Sequence, residues 1–209
     1  MPKSLDAKCR KCRREGTKLF LKGERCFLAK CALVKRNFPP GVHGGKGKRR
    51  MTEYGTQLRE KQKAKRIYGL FEKQFRNYYI KAMRMPGDTG EIMQQLLQMR
   101  LDNFVFAAGF AKSRAQARQM IGHKLFYVNG KKVNIPSFQL KVKDEVTINP
   151  IKASRKIFSD LEKRLENREF PVWISFDLKN LMAKVISRPI GDDLDKSFNP
   201  RLIVEFYSK

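Results

Sequence analysis

The chain has 209 residues, of which 46 are Lys or Arg and 20 are Asp or Glu, so its formal net charge is +26. Hydrophobic residues make up 41% of the sequence, which is enough for a compact core and excludes a wholly disordered protein. The longest apolar run, residues 104–111, is shorter than the ~18 residues of a membrane-spanning helix, and no apolar signal region opens the sequence. We therefore expect a cytoplasmic protein with an anionic partner, most simply nucleic acid or a membrane surface.

The first part of the chain is its most basic part, and it holds all four cysteines. Residues 1–66 contain 21 of the 46 Lys and Arg but only five of the 20 Asp and Glu. The spacing C-x2-C-x13-C-x4-C is typical of one structural zinc ion held by four thiolates, here Cys9, Cys12, Cys26 and Cys31. Spacing alone leaves an iron–sulfur cluster or disulfides as alternatives, although disulfides are rare in the cytosol. Four cysteine ligands leave no open position for catalysis by the metal.

A loop follows the cysteines. Residues 37–50 contain two prolines, which stop regular structure, and four glycines, which free the backbone. Such a segment cannot bury a core, but its Lys and Arg side chains can follow a phosphate backbone closely. We interpret His43 in this loop as an RNA contact rather than a metal ligand, because four cysteines already complete a site.

Apolar spacing predicts helices over residues 53–66 and 70–84 and a third helix that begins at Thr89 or Gly90. The first helix has a thin apolar stripe, Tyr54 and Leu58, on an otherwise basic surface. The apolar stripe of the second is Phe71, Phe75, Tyr78 and Ala82. The third should bury Ile92, Met93, Leu96, Leu97 and Leu101, with residues 99–106 continuing as helix.

Residues 99–148 predict a pair of helices backed by a small sheet. Ser113 and Gln116 form a capping box, so a helix begins at Arg114 and carries Arg114 and Arg118 on one face. Residues 126–133 indicate a hairpin around an Asn-Gly turn, and residues 140–148 indicate a second short hairpin. This arrangement could bring four cations to one surface: Arg114, Arg118, Lys131 and Lys132.

The last part of the chain predicts three short strands, at residues 172–176, 181–186 and 202–206. Trp173 is expected in the core rather than at a protein interface. Asp192, Asp193 and Asp195 form the clearest acidic cluster. This cluster either faces a basic neighbouring protein or is a solvated loop.

Several motifs resemble a known family. Four segments resemble the small RNA-binding module named after ribosomal protein S4. They are Arg100-Leu-Asp-Asn, Gly109-Phe-Ala, Ser113-Arg-Ala-Gln-Ala-Arg-Gln and Val128-Asn-Gly-Lys-Lys-Val-Asn. Four further segments resemble the bacterial-type small-subunit ribosomal protein S4 family itself, in its zinc-binding four-cysteine form. They are Cys9-Arg-Lys-Cys, Pro39-Pro-Gly-Val-His-Gly, Leu58-Arg-Glu-Lys-Gln-Lys and Leu202-Ile-Val-Glu-Phe-Tyr-Ser-Lys. The resemblance covers essentially the whole chain in order.

The resemblance implies an α+β fold with an extended N-terminal zinc-binding arm, a helical lobe, and an inserted two-helix plus small β-sheet RNA-binding module. The implied divisions are residues 1–50 for the arm and loop, 51–98 for the helical lobe, 99–162 for the module, and 163–209 for a C-terminal β-containing segment that packs back on the helical lobe.

The implied function is that of a structural constituent of the small ribosomal subunit. Such a protein binds the five-prime domain junction of small-subunit ribosomal RNA, nucleates subunit assembly and contributes to decoding accuracy. Its implied neighbours are the third and fifth small-subunit ribosomal proteins, together with messenger RNA near the messenger entry path. Its implied location is the cytoplasm.

Charge and resemblance together predict many RNA contacts, no small-molecule substrate and no enzyme. A membrane partner is not expected, because the basic helix 53–66 lacks an apolar face that would insert. The two histidines lie far apart in sequence, and Asp102 is expected to pair with an arginine rather than act as a catalytic carboxylate. An RNA-modifying enzyme would need a further domain, whereas a free-standing RNA chaperone or regulatory factor would associate weakly with ribosomes. The predicted RNA contacts are Arg10, Lys11, Arg13, Arg14, Lys22, Lys35, Arg36, His43, Lys46, Lys48, Arg49, Arg50, Arg59, Lys61, Lys63, Lys65, Arg66, Arg76, Lys112, Arg114, Arg118, His123, Lys124, Lys131 and Lys132.

Overall fold

The computed structural model describes residues 6–46, 50–153, 155, 157–159, 161–166, 168–178 and 180–209. The chain divides into two compact units. The first unit combines Met1–Met93 with Asp195–Lys209, and the second comprises Gln94–Leu194. In the described part of the chain, no helix is both long enough and apolar enough to cross a membrane.

The described residues form helices and one sheet of short strands. The helices are α1 (Lys8–Glu15), α2 (Ala32–Lys35), α3 (Glu53–Ile67), α4 (Glu72–Met83), α5 (Thr89–Gln98), α6 (Leu101–Ala107), α7 (Arg114–Gly122), α8 (Leu161–Glu166) and α9 (Pro200–Ser208). The strands are β1 (Phe126–Val128), β2 (Lys131–Val133), β3 (Glu145–Ile148), β4 (Ile174–Asp177) and β5 (Met182–Val185). Helices together with an antiparallel sheet confirm the predicted α+β class.

The C-terminal residues form a helix, so the strand predicted at 202–206 is wrong. Asn199 caps α9 by accepting a 3.0 Å hydrogen bond from the Arg201 N–H, and Pro200 occupies the first turn, where its missing N–H costs nothing. Ile203 is buried, and Phe206 and Tyr207 are partly buried three and four residues later, which is helical spacing. Through this face α9 packs on α3.

Because α9 covers α3, the buried face of α3 differs from the predicted stripe. Tyr54 is 57% exposed, and the buried residues of α3 are instead Gln57, Lys61, Ala64 and Ile67. In α4 the buried residues are Phe75, Tyr79 and Ala82, whereas Phe71 precedes the helix and is exposed. The predicted helices are therefore present, but packing partners distant in sequence decide which side of each is buried.

The second unit is built around an antiparallel sheet with the strand order β2-β1-β3-β5-β4. β1 and β2 form the predicted hairpin, and Asn129 and Gly130 at its turn have φ of 49° and 74°, as a two-residue turn of this kind requires. β3 pairs with both β1 and β5. The strands predicted at 172–176 and 181–186 are confirmed as β4 and β5, which pair with each other.

Two predictions for residues 99–148 are wrong for the same reason. Residues 99–106 do not continue α5, and residues 140–148 do not form a hairpin. The Leu101 N–H donates to the Phe138 carbonyl and the Leu140 N–H donates to the Met99 carbonyl, both at 2.9 Å. This pairing ends α5 before α6 begins and occupies the backbone of Leu140, so residues 141–144 form a turn that leads into β3.

The core of the second unit fixes α6 and α7 against the sheet. Phe104 in α6 and Met120 and Ile121 in α7 are buried. Trp173 is also buried, and its ring meets that of Phe104 edge-on with centroids 5.8 Å apart, which confirms its predicted place in the core. Interiors packed in this way hold their helices in one arrangement, so the polar face of α6 is rigidly placed.

The observed division of the chain differs from the predicted one at the C-terminal segment. β4 and β5, which were expected to pack back on the helical lobe, complete the sheet of the second unit. The pairing of β5 with β3 satisfies backbone groups of both strands, which assigns β5 to that unit. The part of the chain that belongs with the first unit is Asp195–Lys209.

Candidate nucleic-acid interface

Two consecutive residues of α6 hold two arginines of α7. Arg118 Nε donates a 2.6 Å hydrogen bond to Asp102 Oδ2, and Arg114 Nε donates a 2.8 Å hydrogen bond to Asn103 Oδ1. Because Arg114 and Arg118 are four residues apart, they lie one turn apart on the same face of α7. Both are partly exposed, so the two guanidinium groups are presented at the surface from fixed positions.

The groups that hold these arginines are themselves fixed. Asp102 is buried and accepts two further hydrogen bonds, of 3.0 and 2.9 Å, from the fully buried Arg100, which confirms that this carboxylate pairs with arginine. Asn103 donates from Nδ2 to the Gln98 carbonyl at 2.9 Å. The Arg114 guanidinium also lies 4.8 Å from the centroid of the Phe106 ring. Side chains ordered in advance lose less entropy when they bind an anion.

The start of α7 agrees with the sequence prediction. Ser113 caps the helix by accepting a hydrogen bond of 3.3 Å from the Gln116 N–H. The Gln116 side chain in turn accepts a 2.7 Å hydrogen bond from the backbone N–H of the exposed Lys112. The capping box therefore fixes the turn from which Arg114 and Arg118 project.

The other predicted contacts of the second unit are exposed. Lys131 and Lys132 lie on the edge strand β2, and His123 and Lys124 follow α7. Two further cationic residues, Lys152 and Arg155, lie close to Lys132 and Lys124. These two were not predicted as contacts, because no local motif marks them and only the pairing of β1 with β3 brings them near β2.

A cleft in the first unit gathers five of the predicted contacts. From α1 it is lined by Arg10, Lys11 and Arg14, and from α3 by Lys65 and Arg66. Asp6 also lines the cleft, so the cations are in excess. A concave surface with an excess of positive charge concentrates the electrostatic field and favours the approach of phosphate groups.

Glu15 ties α1 to α3 beside this cleft. Its side chain is only 1% exposed, and it forms ion pairs with Arg66 and, at 3.5 Å, with Arg59. Burial raises the pKa of Glu15, while the positive charges of Arg66 and Arg59 oppose that rise. Arg59 and Arg66 therefore have an internal role in positioning α1, and each remains partly exposed.

Two predicted contacts are engaged inside the first unit. Lys61 is buried, with its Nζ 2.8 Å from Glu72 Oε1 and 4.1 Å from the centroid of the Phe206 ring. An ammonium buried in this way cannot reach RNA, which corrects the prediction for Lys61. Arg13 donates to the carbonyls of Phe38 and Pro39 at 3.0 and 3.3 Å and so fastens the proline-glycine loop to α1.

The remaining predicted contacts of the first unit lie at the surface or outside the described residues. Lys63 is partly exposed and pairs with Glu60 at 2.6 Å. The exposed members are Lys22, Lys35, Arg36, His43, Lys46, Arg50 and Arg76. Lys48 and Arg49 lie outside the described residues.

The four cysteines line one small cavity of the first unit, together with Lys8, Lys22 and Arg25. None of the four is part of a disulfide. Burial raises the pKa of Cys12, and the neighbouring thiols of Cys26, Cys9 and Cys31 raise it further. Among the residues that the structure describes, no three His, Cys, Asp or Glu side chains are grouped as a ready-made metal site. The fold therefore brings the predicted ligands to one cavity without closing them into a coordination sphere.

Comparison with known proteins agrees with this architecture. Residues 3–98 match the family described as ribosomal protein S4/S9 N-terminal domain, and residues 99–146 match the S4 domain. The chain is 53% identical over 201 residues to small ribosomal subunit protein uS4 of Acidobacterium capsulatum, with 96% of each chain covered. It is 48% identical over 209 residues to uS4 of Caldicellulosiruptor saccharolyticus and 49% identical over 210 residues to uS4 of Clostridium tetani, with both chains fully covered in each case. The chain therefore belongs to the bacterial family of small ribosomal subunit protein uS4.

Proposed function

We propose that this chain is a structural constituent of the small ribosomal subunit that binds ribosomal RNA. The observation that carries the proposal is the pair of α7 arginines held by Asp102 and Asn103. Guanidinium groups match the charge and geometry of phosphate oxygens, and contacts to phosphate position a protein on its RNA. The relatives' name, small ribosomal subunit protein, supports this function.

The proposed role is binding rather than catalysis. The carboxylate of Asp102, in the motif Arg100-Leu-Asp-Asn, accepts hydrogen bonds from the guanidinium groups of Arg100 and Arg118. Its contacts are those of a group that places arginines. The basic cleft of the first unit supplies a second surface on which the same RNA could be gripped.

We further propose the finer assignments that the family resemblance implies. The RNA is the five-prime domain of small-subunit ribosomal RNA at its multi-helix junction, and binding there nucleates subunit assembly and contributes to decoding accuracy. The protein neighbours are the third and fifth small-subunit proteins, with messenger RNA near the path by which it enters. Location in the cytoplasmic small ribosomal subunit follows from this assignment.

We also propose that the arm binds one structural zinc ion through Cys9, Cys12, Cys26 and Cys31. The chemistry of the donors fits zinc, because four cysteine side chains line one cavity and four thiolates are a common ligand set of structural zinc. When bound, the ion would cross-link α1, in which no residue is buried, to the segment that carries Cys26 and Cys31.

A salt-washed sucrose gradient of lysate from cells that contain the chain tests the proposed function. Mass spectrometry would quantify the chain against other small-subunit proteins in each fraction. We expect one copy per small subunit that survives the wash. A chain that stays at the top of the gradient, or that washes off, would instead be a transient RNA factor.

A further inference from the structure

A second group of cations lies at the end of β3 in the second unit. Lys124 follows α7, Lys132 lies on β2, and Lys152 and Arg155 follow β3. Lys124, Lys132 and Arg155 are exposed, and Lys152 is partly exposed. They come from three separate stretches of sequence, so their proximity is a product of the fold.

Hydrogen bonds fix the backbone and one ammonium of this group. Asn149, which is 1% exposed, donates from its backbone N–H to the Leu125 carbonyl at 2.9 Å and from Nδ2 to the Lys124 carbonyl at 3.1 Å. Lys152 Nζ donates to the His123 carbonyl at 2.7 Å. The segment that follows β3 is thereby attached to the end of α7, and Lys152 and Lys124 are held near each other.

The sheet adds Lys132 to the group, and the helical turn after β3 adds Arg155. Phe126 of β1 pairs with Ile148 of β3, and the next residue of β1 pairs with Lys132. The Arg155 N–H donates to the Lys152 carbonyl at 3.3 Å. Partial loss of solvent lowers the pKa of Lys152, and so do the charges of Arg155, Lys132 and Lys124.

The fold therefore accumulates positive charge at this place. Among the described residues, no ion pair joins any of these four side chains to a carboxylate. Like charges held together on a surface repel one another, and the repulsion is relieved when an anion binds between them. Ammonium groups act as point charges that bind phosphate without reading the base.

We propose that Lys124, Lys132, Lys152 and Arg155 form a phosphate-binding patch that grips the backbone of the bound RNA. This inference rests on the proposed RNA-binding function and adds to it two contact residues, Lys152 and Arg155. Because the contacts are to phosphate, the patch supplies affinity and salt dependence rather than sequence preference.

The test measures RNA binding by the full chain over a series of KCl concentrations, with a transcript of the small-subunit five-prime domain as the probe. The patch variant is Lys152→Ala/Arg155→Ala. The control variant, Lys141→Ala/Lys143→Ala, removes the same charge from exposed residues at the other end of β3. Each lost phosphate contact should lower the log–log salt slope by ~0.7 to 0.9, so the patch variant should lose about 1.4 to 1.8 and the control much less.

Further variants separate contact from folding. Arg155→Ala leaves the hydrogen bond from Lys152 to His123 in place and should lower the slope by ~0.7 to 0.9 on its own. Lys152→Arg retains the charge and should bind as the wild type does. If patch and control variants lose the same slope, the patch is overturned while the proposed function stands. If the wild-type chain does not bind the transcript, both are overturned.

Discussion

Arg118 donates a 2.6 Å hydrogen bond from Nε to Asp102, a carboxylate that is only 2% exposed. The same carboxylate accepts two hydrogen bonds from Arg100, whose side chain is fully buried. Asp102 thus balances the charge of the buried Arg100 and orients Arg118 at the surface. Stability of the second unit and presentation of an RNA-binding arginine are therefore coupled through a single residue.

Replacing Asp102 by its neutral isostere should destabilise the second unit severely. In Asp102→Asn the buried guanidinium of Arg100 loses the carboxylate that accepts two of its hydrogen bonds, and breaking a buried ion pair typically costs about 3–5 kcal/mol in the free energy of unfolding. Urea unfolding followed by the fluorescence of Trp173 would measure the loss. Glu145→Gln is the matched control in the same unit, since it breaks an exposed pair with Lys184 and should cost less than about 1 kcal/mol. Equal losses for the two variants would contradict the coupling.

Asn103 should act on RNA binding through Arg114. Removing the Asn103 side chain takes away a hydrogen bond that orders the Arg114 guanidinium, and the entropy of ordering it on binding should weaken RNA binding by about 2- to 12-fold. In a double-mutant cycle, Asn103→Ala should have little effect once Arg114→Ala is present. Filter binding of the five-prime domain transcript measures all four proteins. Additive effects of the two substitutions would show that Asn103 does not position Arg114.

Glu72 should make the first unit sensitive to acid. Burial by itself would raise the pKa of Glu72, but hydrogen bonds from Lys61, Tyr207 and Lys65 outweigh it and lower the pKa to about 2. A depressed folded-state pKa contributes stability that is present above the ordinary value of 4.5 and is lost as the pH falls towards 2. Unfolding free energy measured across this range should therefore fall for the wild type.

The variant Glu72→Gln should remove most of that slope in pH. It should also lower stability at neutral pH, because the buried Lys61 loses the carboxylate that it pairs with. Glu169→Gln, at an exposed position, serves as the control and should leave the acid transition as in the wild type. A variant at Glu72 that keeps the full acid transition would assign the pH dependence to other carboxylates.

Two glycines of the second unit should respond oppositely to alanine. Gly109 has φ of +81°, and a Cβ there would lie 2.5 Å from Cδ2 of the buried Leu165, so Gly109→Ala should destabilise by about 1–3 kcal/mol. Gly122 lies in the last turn of α7 with nothing within 4 Å of its added Cβ. Gly122→Ala should therefore be neutral or stabilise by up to ~1 kcal/mol. Thermal unfolding of the two variants measures this contrast as a difference in Tm. Equal changes in Tm for the two variants would refute the prediction.

The cysteine cavity should retain one zinc ion per chain when the protein is purified without chelator. Chelation, or the substitution Cys26→Ser, should release the metal and make the arm more sensitive to protease, because the ion would cross-link α1 to the segment of Cys26 and Cys31. Trp173 is the single tryptophan and lies in the core of the second unit, so its fluorescence should not change. Stoichiometric iron with visible absorption would indicate the iron–sulfur alternative instead.

Local sequence determined the elements whose signals are complete within a few residues. The Asn129-Gly130 turn specified the β1–β2 hairpin, and Ser113 specified the start of α7, because turn and cap chemistry acts between neighbours in the chain. Cysteine spacing and charge likewise indicated the arm and an anionic partner without reference to the fold. The motifs were sufficient to identify the family.

Only the tertiary structure decided which residues face which partners. Residues 202–206 form part of a helix that covers α3 and encloses Lys61, and the pairing of Met99 with Leu140 breaks one predicted helix and one predicted hairpin. The same folding selects Asp102 and Asn103 as holders of the α7 arginines and collects Lys152 and Arg155 beside Lys132. Contacts of this kind join residues far apart in sequence, and the local spacing of charged and apolar residues carries no information about them.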